Sequence, residues 1–477
     1  MKLPGRDYRV LDKDLGNITH LETAQIHALR PLLRLGAGIL LLVAVLILAL
    51  GMTGHSPALI GIGAALIVAG WLGMAIGAND IANSLGPAVG SGAIGLAAGL
   101  ALVAAAEVAG AVLAGSPVTA RLAEGIVDTA QSGAGGATIM LSALVAAAMW
   151  ITIATGAGLP VSTSHSIVGA IAGAGIAALG LRAVAWDSLA VIATAWMLTP
   201  LASALLAGAI LTFVQLNIRE APDREAAARH WVPLLVGTMV GLFLSYLWQL
   251  IWPQTPFWLS LLPGVVAAGL IVWAMRRRLR RLLAEGGIRP GMKRVFRPAL
   301  LFAAVMMAFA HGAGDAGNVA GPLLVILRAG TGEGPATPNL FAVLAGAGGA
   351  IALGAVLFGR RLVVMVGSGI TRLNAVRAFC ITLATAVIVL GASAAGLPVS
   401  TTHVAVGGVF GVGFVREWLD RRKKLRRAML PAAEVRRRIL IRRSHVITIS
   451  IAWLITVPLS ALLGGLCCWL IMRMAGT

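Results

Sequence analysis

The sequence predicts an all-α polytopic membrane protein, and three observations support that fold class. Apolar residues make up 58% and charged residues only 12% of the 477 residues, whereas soluble domains carry about 25% charged residues. The mean hydropathy is +0.91. Uncharged runs such as 35–53 reach the ~18–20 residues that a helix needs to cross a bilayer.

The sequence contains about 12–13 apolar segments, most of them close to the length of a membrane helix. They cover 35–53, 56–78, 92–115, 138–157, 163–180, 186–214, 231–252, 256–275, 298–313, 338–358, 375–395, 402–415 and 446–474. Segments 298–313 and 402–415 are shorter than a full crossing, so we expect some helices to be broken or re-entrant. The candidate hairpins are 138–157 with 163–180 and 375–395 with 402–415.

Basic residues are concentrated in the loops between these segments. The net charge is +20, and 276–297 and 416–443 hold nine and twelve Lys or Arg residues. The other basic regions are the N-terminal region, 217–230 and 359–374. Any two of the five basic regions are separated by an even number of apolar segments, so all can face the cytoplasm together. Such loops meet anionic membrane lipids. Because zinc-finger spacing and RNA-binding motifs are missing, no nucleic-acid partner is expected.

The N-terminal region differs from the rest of the chain. Residues 1–34 are polar and of mixed charge, and they are too long for the first region of a signal peptide. We interpret them as a cytoplasmic extension, followed by an extra membrane helix at 35–55. The expected location is the inner (plasma) membrane of a bacterium, with the N-terminus in the cytoplasm.

Two motifs each occur twice, in the same order. GLPVSTSHSIVGAIAGAGI (158–176) and GLPVSTTHVAVGGVFGVGF (396–414) match at 11 of 19 positions without a gap. Upstream of them lie GANDIANSLGP (77–87) and GAGDAGNVAGP (312–322). From the motif aspartate to the first motif serine, the spacing is 82 residues in one copy and 85 in the other. The chain therefore contains an internal duplication.

The duplication divides the chain into two transport repeats, 56–216 and 296–477. Linking helices and a basic loop lie between them at 217–295. Each repeat holds five apolar segments and equivalent points are seven segments apart, so the second copy is expected to enter the membrane in the opposite orientation. Inverted-topology repeats build secondary transporters, which bind their substrate at the repeat interface.

The PVST motifs suit an anion. Proline interrupts an incoming helix and Ser or Thr caps a new one, so the hydroxyl residues are expected at a helix N-terminus, where free N–H groups favour anions. Two such termini facing one another would form a cage for a small tetrahedral oxyanion. The alternative is that these side chains only cap helices or bond back to the helix. The hydroxyl residues are Ser162, Thr163 and Ser164 in the first copy and Ser400, Thr401 and Thr402 in the second.

The aspartate motifs suit a cation. Asp80 and Asp315 lie at the ends of apolar segments, and a carboxylate inside a membrane usually faces a cavity, a cation or a proton path. Asn79, Asn83 and Asn318 add carbonyl oxygens. This set suits Na⁺, and the carboxylates themselves can carry H⁺. The alternative is an aspartate that caps a helix at the membrane interface.

Three further side chains are candidates for supporting roles. His165 and His403 follow the hydroxyl clusters at matched positions, where they can orient the site or donate to the anion. Glu107 is another intramembrane acid, and an alignment of 110–115 with 354–359 places Ile351 opposite it. A gating or cation-relay role and a structural hydrogen bond both remain open for Glu107. His311 aligns with Ile76 and receives less weight.

At these residues the sequence resembles the inorganic phosphate transporter (PiT) family, over about 56–474. Each half of that family carries a GANDVAN-like and a PVSTTH-like element. The resemblance implies a non-enzymatic, cofactor-free symporter of inorganic phosphate with Na⁺ or H⁺. It implies a phosphate site lined by Asp80, Ser162, Thr163, Ser164, Asp315, Asn318, Ser400, Thr401 and Thr402. It also implies cation coupling through Asn79, Asp80, Asn83, Asp315 and Asn318, with Na⁺ held by the three Asn side chains. Gly314 departs from the family, which has Asn there, so the second copy lacks one side-chain oxygen.

Two other functions remain open. A sulfate permease of the same architecture would also bind a tetrahedral anion, but a carboxylate can accept a hydrogen bond from HPO₄²⁻ and not from sulfate. The GAGD sequence at 312–315 also matches intramembrane aspartyl proteases, with Asp80 as a second acid. In those proteases, however, a PAL sequence follows the aspartate, and here it precedes it at 298–300. A homodimer is a further open expectation.

Overall fold

The computed structural model describes residues 36, 57–128, 135–156, 161–284, 292–331, 339–369, 375–424 and 443–475. These residues form thirteen α-helices: α1 (Pro57–Gly90), α2 (Leu96–Ala114), α3 (Ser116–Glu124), α4 (Gly135–Gly156), α5 (Thr163–Leu179), α6 (Trp186–Val214), α7 (Arg224–Ile251), α8 (Phe257–Ala284), α9 (Met292–Thr331), α10 (Leu340–Gly369), α11 (Ala375–Ala394), α12 (Thr401–Lys424) and α13 (Arg443–Ala475). The expected extension at 1–34 and most of the helix at 35–55 lie outside this description.

The helices confirm the all-α membrane fold class. Ten of them are long and apolar enough to cross a membrane, whereas α5 has only 17 residues. Within the described ranges the sole β-type pairing is an isolated bridge between Val127 and Val184. The inverted orientation of the two repeats and the re-entrant hairpins stay predictions.

Two helices run well past the segments that hydropathy predicts. Segments 56–78 and 298–313 end close to the aspartate motifs, but α1 and α9 continue as single helices of 34 and 40 residues. Asp80 and Asp315 therefore lie inside helices rather than at their ends. The Gly and Asn residues there are weak helix formers, and packing against other helices compensates for that weakness. α3 was also unexpected, because it lies in the predicted loop 116–137.

The helix packing follows the duplication. α1 packs on α10 and α2 packs on α9, so each of these pairs combines one helix from each half. In the same way α5 packs on α13 and α12 packs on α6. The α1–α10 pair and the α2–α9 pair are therefore equivalent under exchange of the two halves. The same holds for the α5–α13 pair and the α6–α12 pair. The motif-bearing helices are thus held mainly by the opposite half of the chain.

Two glycines show how closely these helices cross. A Cβ atom at Gly77 would overlap the backbone carbonyl of Ile351, and one at Gly312 would overlap the carbonyl of Glu107. Any larger residue would force the helices apart, so the motif glycines are required by backbone contact. Gly77 and Gly312 occupy the same position in the two motifs, three residues before the aspartates. The two crossings are therefore equivalent.

Candidate functional site

The first side-chain cluster joins α1 to α12. Thr402 Oγ1 donates a hydrogen bond of 2.9 Å to Asp80 Oδ1. Asn83 Nδ2 lies 3.3 Å from the same carboxylate oxygen and 3.0 Å from Thr402 Oγ1. Asp80 is only 3% exposed. An aspartate of the first half is thus bonded to a hydroxyl of the second.

The second cluster repeats this arrangement between α9 and α5. Asn318 Nδ2 donates to Asp315 Oδ1 over 2.8 Å. Ser164 Oγ lies 3.4 Å from that oxygen, 3.3 Å from Asn318 Nδ2 and 3.2 Å from the Val399 carbonyl oxygen. Ser164 and Thr402 occupy matched positions in the two PVST motifs. Each carboxylate is therefore held by the hydroxyl of the opposite half.

His311 connects the two clusters. Its Nε2 atom lies 3.0 Å from Asp315 Oδ2 and 3.9 Å from Asp80 Oδ2, and its Nδ1 atom lies 2.8 Å from Glu107 Oε1. His311, Glu107 and Asp315 are each 0% exposed. In the part of the chain that the structure describes, no Lys or Arg forms an ion pair with these acids. The repeat alignment gives His311 less weight than the other candidates, but the structure places it at the centre of this group.

Helix N-termini flank the clusters. Ser162 caps α5 by accepting a hydrogen bond of 3.2 Å from the His165 backbone N–H. Ser400 accepts from the His403 backbone N–H over 3.4 Å, immediately before α12. The first N–H groups of each helix have no partner within the helix, and they create a partial positive charge there. The predicted helix break at Pro160 lies outside the described residues.

Like the two capping serines, three further predicted residues are not bonded to the clusters. Thr163 and Thr401 are buried, and Asn79 is half-buried. No side-chain hydrogen bond among the described residues joins any of them to Asp80 or Asp315. Their roles stay predictions, as do those of the other site residues.

The two motif histidines pack together beside the PVST segments. The ring of His165 stacks on Trp196 with centroids 3.7 Å apart, and its centroid is 4.9 Å from that of His403. Trp196 Nε1 donates a hydrogen bond of 2.7 Å to the Pro398 carbonyl oxygen. This packing suits the orienting role predicted for both histidines.

Gly314 faces a filled space. A Cβ atom at this position would lie 3.1 Å from Ser393 Oγ, and Ser393 is itself fully buried. A side chain at this position would require Ser393 to shift slightly. The second half therefore lacks the side-chain oxygen that Asn79 offers in the first.

Comparison with known proteins identifies the family. The model of the phosphate transporter family matches residues 76–464. The chain belongs to this family. A protein of Helicobacter pylori named as a phosphate permease is 37% identical over 435 residues, covering 87% of this chain and 80% of the relative. A Pyrococcus horikoshii protein named as a phosphate permease is 32% identical, covering 84% and 95%.

A solved structure supports the same assignment. The structure titled the sodium-dependent phosphate transporter matches with a TM-score of 0.76 and 31% identity, covering 86% of this chain and 99% of that one. Membership of the phosphate transporter family confirms the resemblance seen in the motifs. Because the family consists of transporters and not enzymes, the protease alternative is set aside.

Proposed function

We propose that this protein is a symporter that moves inorganic phosphate across the membrane together with Na⁺. One observation carries the proposal. Asp80 and Asp315 lie in matched, buried clusters, and each cluster combines residues from both halves of the chain. A site shared in this way changes whenever the halves move relative to one another, which is what alternating access requires.

The helix N-termini would bind the anion. The two helix starts, at Thr163 in α5 and at Thr401 in α12, present N–H and hydroxyl donors. The hydroxyl residues at these starts are Ser162, Thr163 and Ser164 in α5 and Ser400, Thr401 and Thr402 in α12. Phosphate is favoured over sulfate because a nearby carboxylate can accept the proton of HPO₄²⁻. The names of the related proteins support the same anion.

The carboxylate clusters would bind the cation. Asp315 Oδ2, Asn318 Oδ1 and Glu107 Oε2 are buried oxygens without a hydrogen-bond donor among the described residues. Buried acceptors of this kind are costly unless a partner satisfies them. Na⁺ prefers oxygen ligands of the kind that the two motif aspartates and Asn79, Asn83 and Asn318 offer. The similarity to a sodium-dependent phosphate transporter supports the same ion. H⁺ is the alternative.

Several features of the wider architecture belong to the same proposal. We propose that 56–216 and 296–477 are the inverted repeats and that the N-terminus faces the cytoplasm of a bacterial inner membrane. The basic loops would lie against anionic lipids. A homodimer is the proposed assembly.

Uptake by proteoliposomes tests the function. Labelled phosphate should accumulate when an inward Na⁺ gradient is imposed at constant pH, and excess unlabelled sulfate should not compete. Accumulation that follows only a pH gradient would replace Na⁺ by H⁺ as the coupling ion. If neither gradient drives phosphate while labelled sulfate accumulates, the phosphate proposal is wrong.

A further inference from the structure

One buried pair breaks the match between the two halves. His311 and Glu107 face each other where α9 crosses α2. At the equivalent crossing of α1 and α10, the aligned residues are Ile76 and Ile351, which are both 0% exposed within one apolar cluster. The backbones cross in the same way at Gly77 and Gly312. The difference therefore lies in the side chains.

The polar pair holds the imidazole between the two halves. Glu107 Oε1 lies 2.8 Å from Nδ1 of His311, and a ring that donates from Nδ1 carries a second N–H at Nε2 only as imidazolium. Nε2 lies 3.0 Å from the second oxygen of Asp315 and 3.9 Å from that of Asp80, close enough for charge attraction but without hydrogen-bond geometry. The first oxygens are already occupied by Asn and hydroxyl groups. His311 thus stands where the carboxylates of the two halves face one another.

We propose that His311, held by Glu107 as an imidazolium with a proton on each ring nitrogen, lets the substrate-free site close by standing between Asp80 and Asp315. This inference rests on the proposed symport. His311 then acts as an internal partner of the carboxylates when no cation lies between them. Glu107 is a positioning residue that acts through the imidazole.

A bridging group is needed because closing the empty site around two buried carboxylates costs free energy. A symporter has to return without its substrates, and two carboxylates facing each other in a buried site repel and lose hydration. During the loaded step the bound cations neutralise these groups. During the empty step only a resident positive charge can do so, and among the described residues the His311 imidazolium is the basic group within 4 Å of both carboxylates. Loss of His311 should therefore slow the empty return far more than the loaded crossing.

Two transport modes of the same proteoliposomes separate these steps. Net uptake of labelled phosphate under a Na⁺ gradient requires the empty return. Exchange of external labelled for internal unlabelled phosphate, with equal Na⁺ and phosphate on both sides, requires only the loaded crossing. For His311→Gln we expect net uptake to fall about tenfold or more, because the glutamine amide is neutral and cannot offset the charge of the two carboxylates. Exchange should fall by less than about threefold on the same scale.

Glu107→Gln should also lower net uptake more than exchange, by a smaller factor than His311→Gln. If the His311→Gln protein does not reconstitute, Glu107→Gln tests the inference on its own. Combining the two substitutions should add little to His311→Gln alone, because residues that act as a unit are not additive. Ile76→Val and Ile351→Val, at the matched apolar positions, should leave both modes unchanged.

An equal loss of net uptake and exchange in both polar variants would overturn the inference, and so would unchanged rates in both. Failure of the proposed function looks different. In that case the wild-type protein itself would neither accumulate nor exchange labelled phosphate.

Discussion

Asp80→Asn tests the cation role of the first cluster with little change in shape. Asp80 Oδ1 accepts hydrogen bonds from Thr402 and Asn83 at 2.9 Å and 3.3 Å, and an asparagine carbonyl oxygen can accept the same two. The substitution therefore removes a negative charge and leaves the cluster's geometry in place. A loss of transport would then report the charge rather than the fold.

The size of the effect follows from Coulomb's law. Two unit charges about 4 Å apart attract by about 4 kcal/mol at an effective dielectric constant of about 20. Because 1.4 kcal/mol is about a tenfold change in affinity, the site should bind Na⁺ roughly a thousandfold more weakly. The Na⁺ concentration needed for half-maximal phosphate uptake should then exceed any practical range.

The assay is uptake of labelled phosphate by proteoliposomes at a series of Na⁺ concentrations. Asp187→Asn is a matched control, because Asp187 is an exposed acid in the first turn of α6 and is not among the side chains bonded in either cluster. Size-exclusion chromatography of the purified variants checks that both insert and fold. A Na⁺ dependence for Asp80→Asn within about threefold of the wild type would refute the electrostatic reasoning.

Three further predictions concern the second cluster, the helix caps and the helix crossing. Asp315→Asn should likewise abolish Na⁺-driven phosphate uptake without preventing insertion, and normal coupled uptake would contradict its cation role. Ser162→Ala combined with Ser400→Ala should raise the KM for phosphate several-fold and cost about 1 kcal/mol per lost cap; an unchanged KM with a lower Tm would leave both residues as caps only. Gly77→Ala should lower the Tm by forcing a Cβ against the facing α10 carbonyl, at a cost of about 1–3 kcal/mol. Gly70→Ala, with nothing within 4 Å of its Cβ, should not lower it.

The sequence alone predicts the composition of the site but not its pairing. Repetition of the motifs identifies Asp80, Asp315 and the hydroxyl residues as members of one site. Spacing along the chain gives their order, and it contains no information on which helix packs on which. Only the approach of α12 to α1 and of α5 to α9 shows that Asp80 meets Thr402 rather than a hydroxyl of its own half.

Hydropathy also misplaces the ends of the motif helices for a physical reason. The Gly, Asn and Asp residues of 77–87 and 312–322 lower both apolarity and intrinsic helix propensity, so a local pattern ends the segment there. In the structure the same glycines permit backbone contact with a neighbouring helix. Tertiary packing stabilises the helix where its own sequence does not, and this contribution is invisible to a local pattern.

The position of His311 is the least anticipated, and its signal depends on comparing the two repeats with each other. Taken singly, His311 opposite Ile76 and Glu107 opposite Ile351 are each a departure from the duplication. Taken together they are complementary, because a carboxylate buried in a membrane requires a polar partner. A second polar exception in the other half is a natural candidate for that partner. When two repeats pack in the same way, a polar residue that replaces an apolar one in each repeat, at positions that face each other, predicts a contact between the two polar side chains. His311 and Glu107 form that contact, with His311 Nδ1 lying 2.8 Å from Glu107 Oε1.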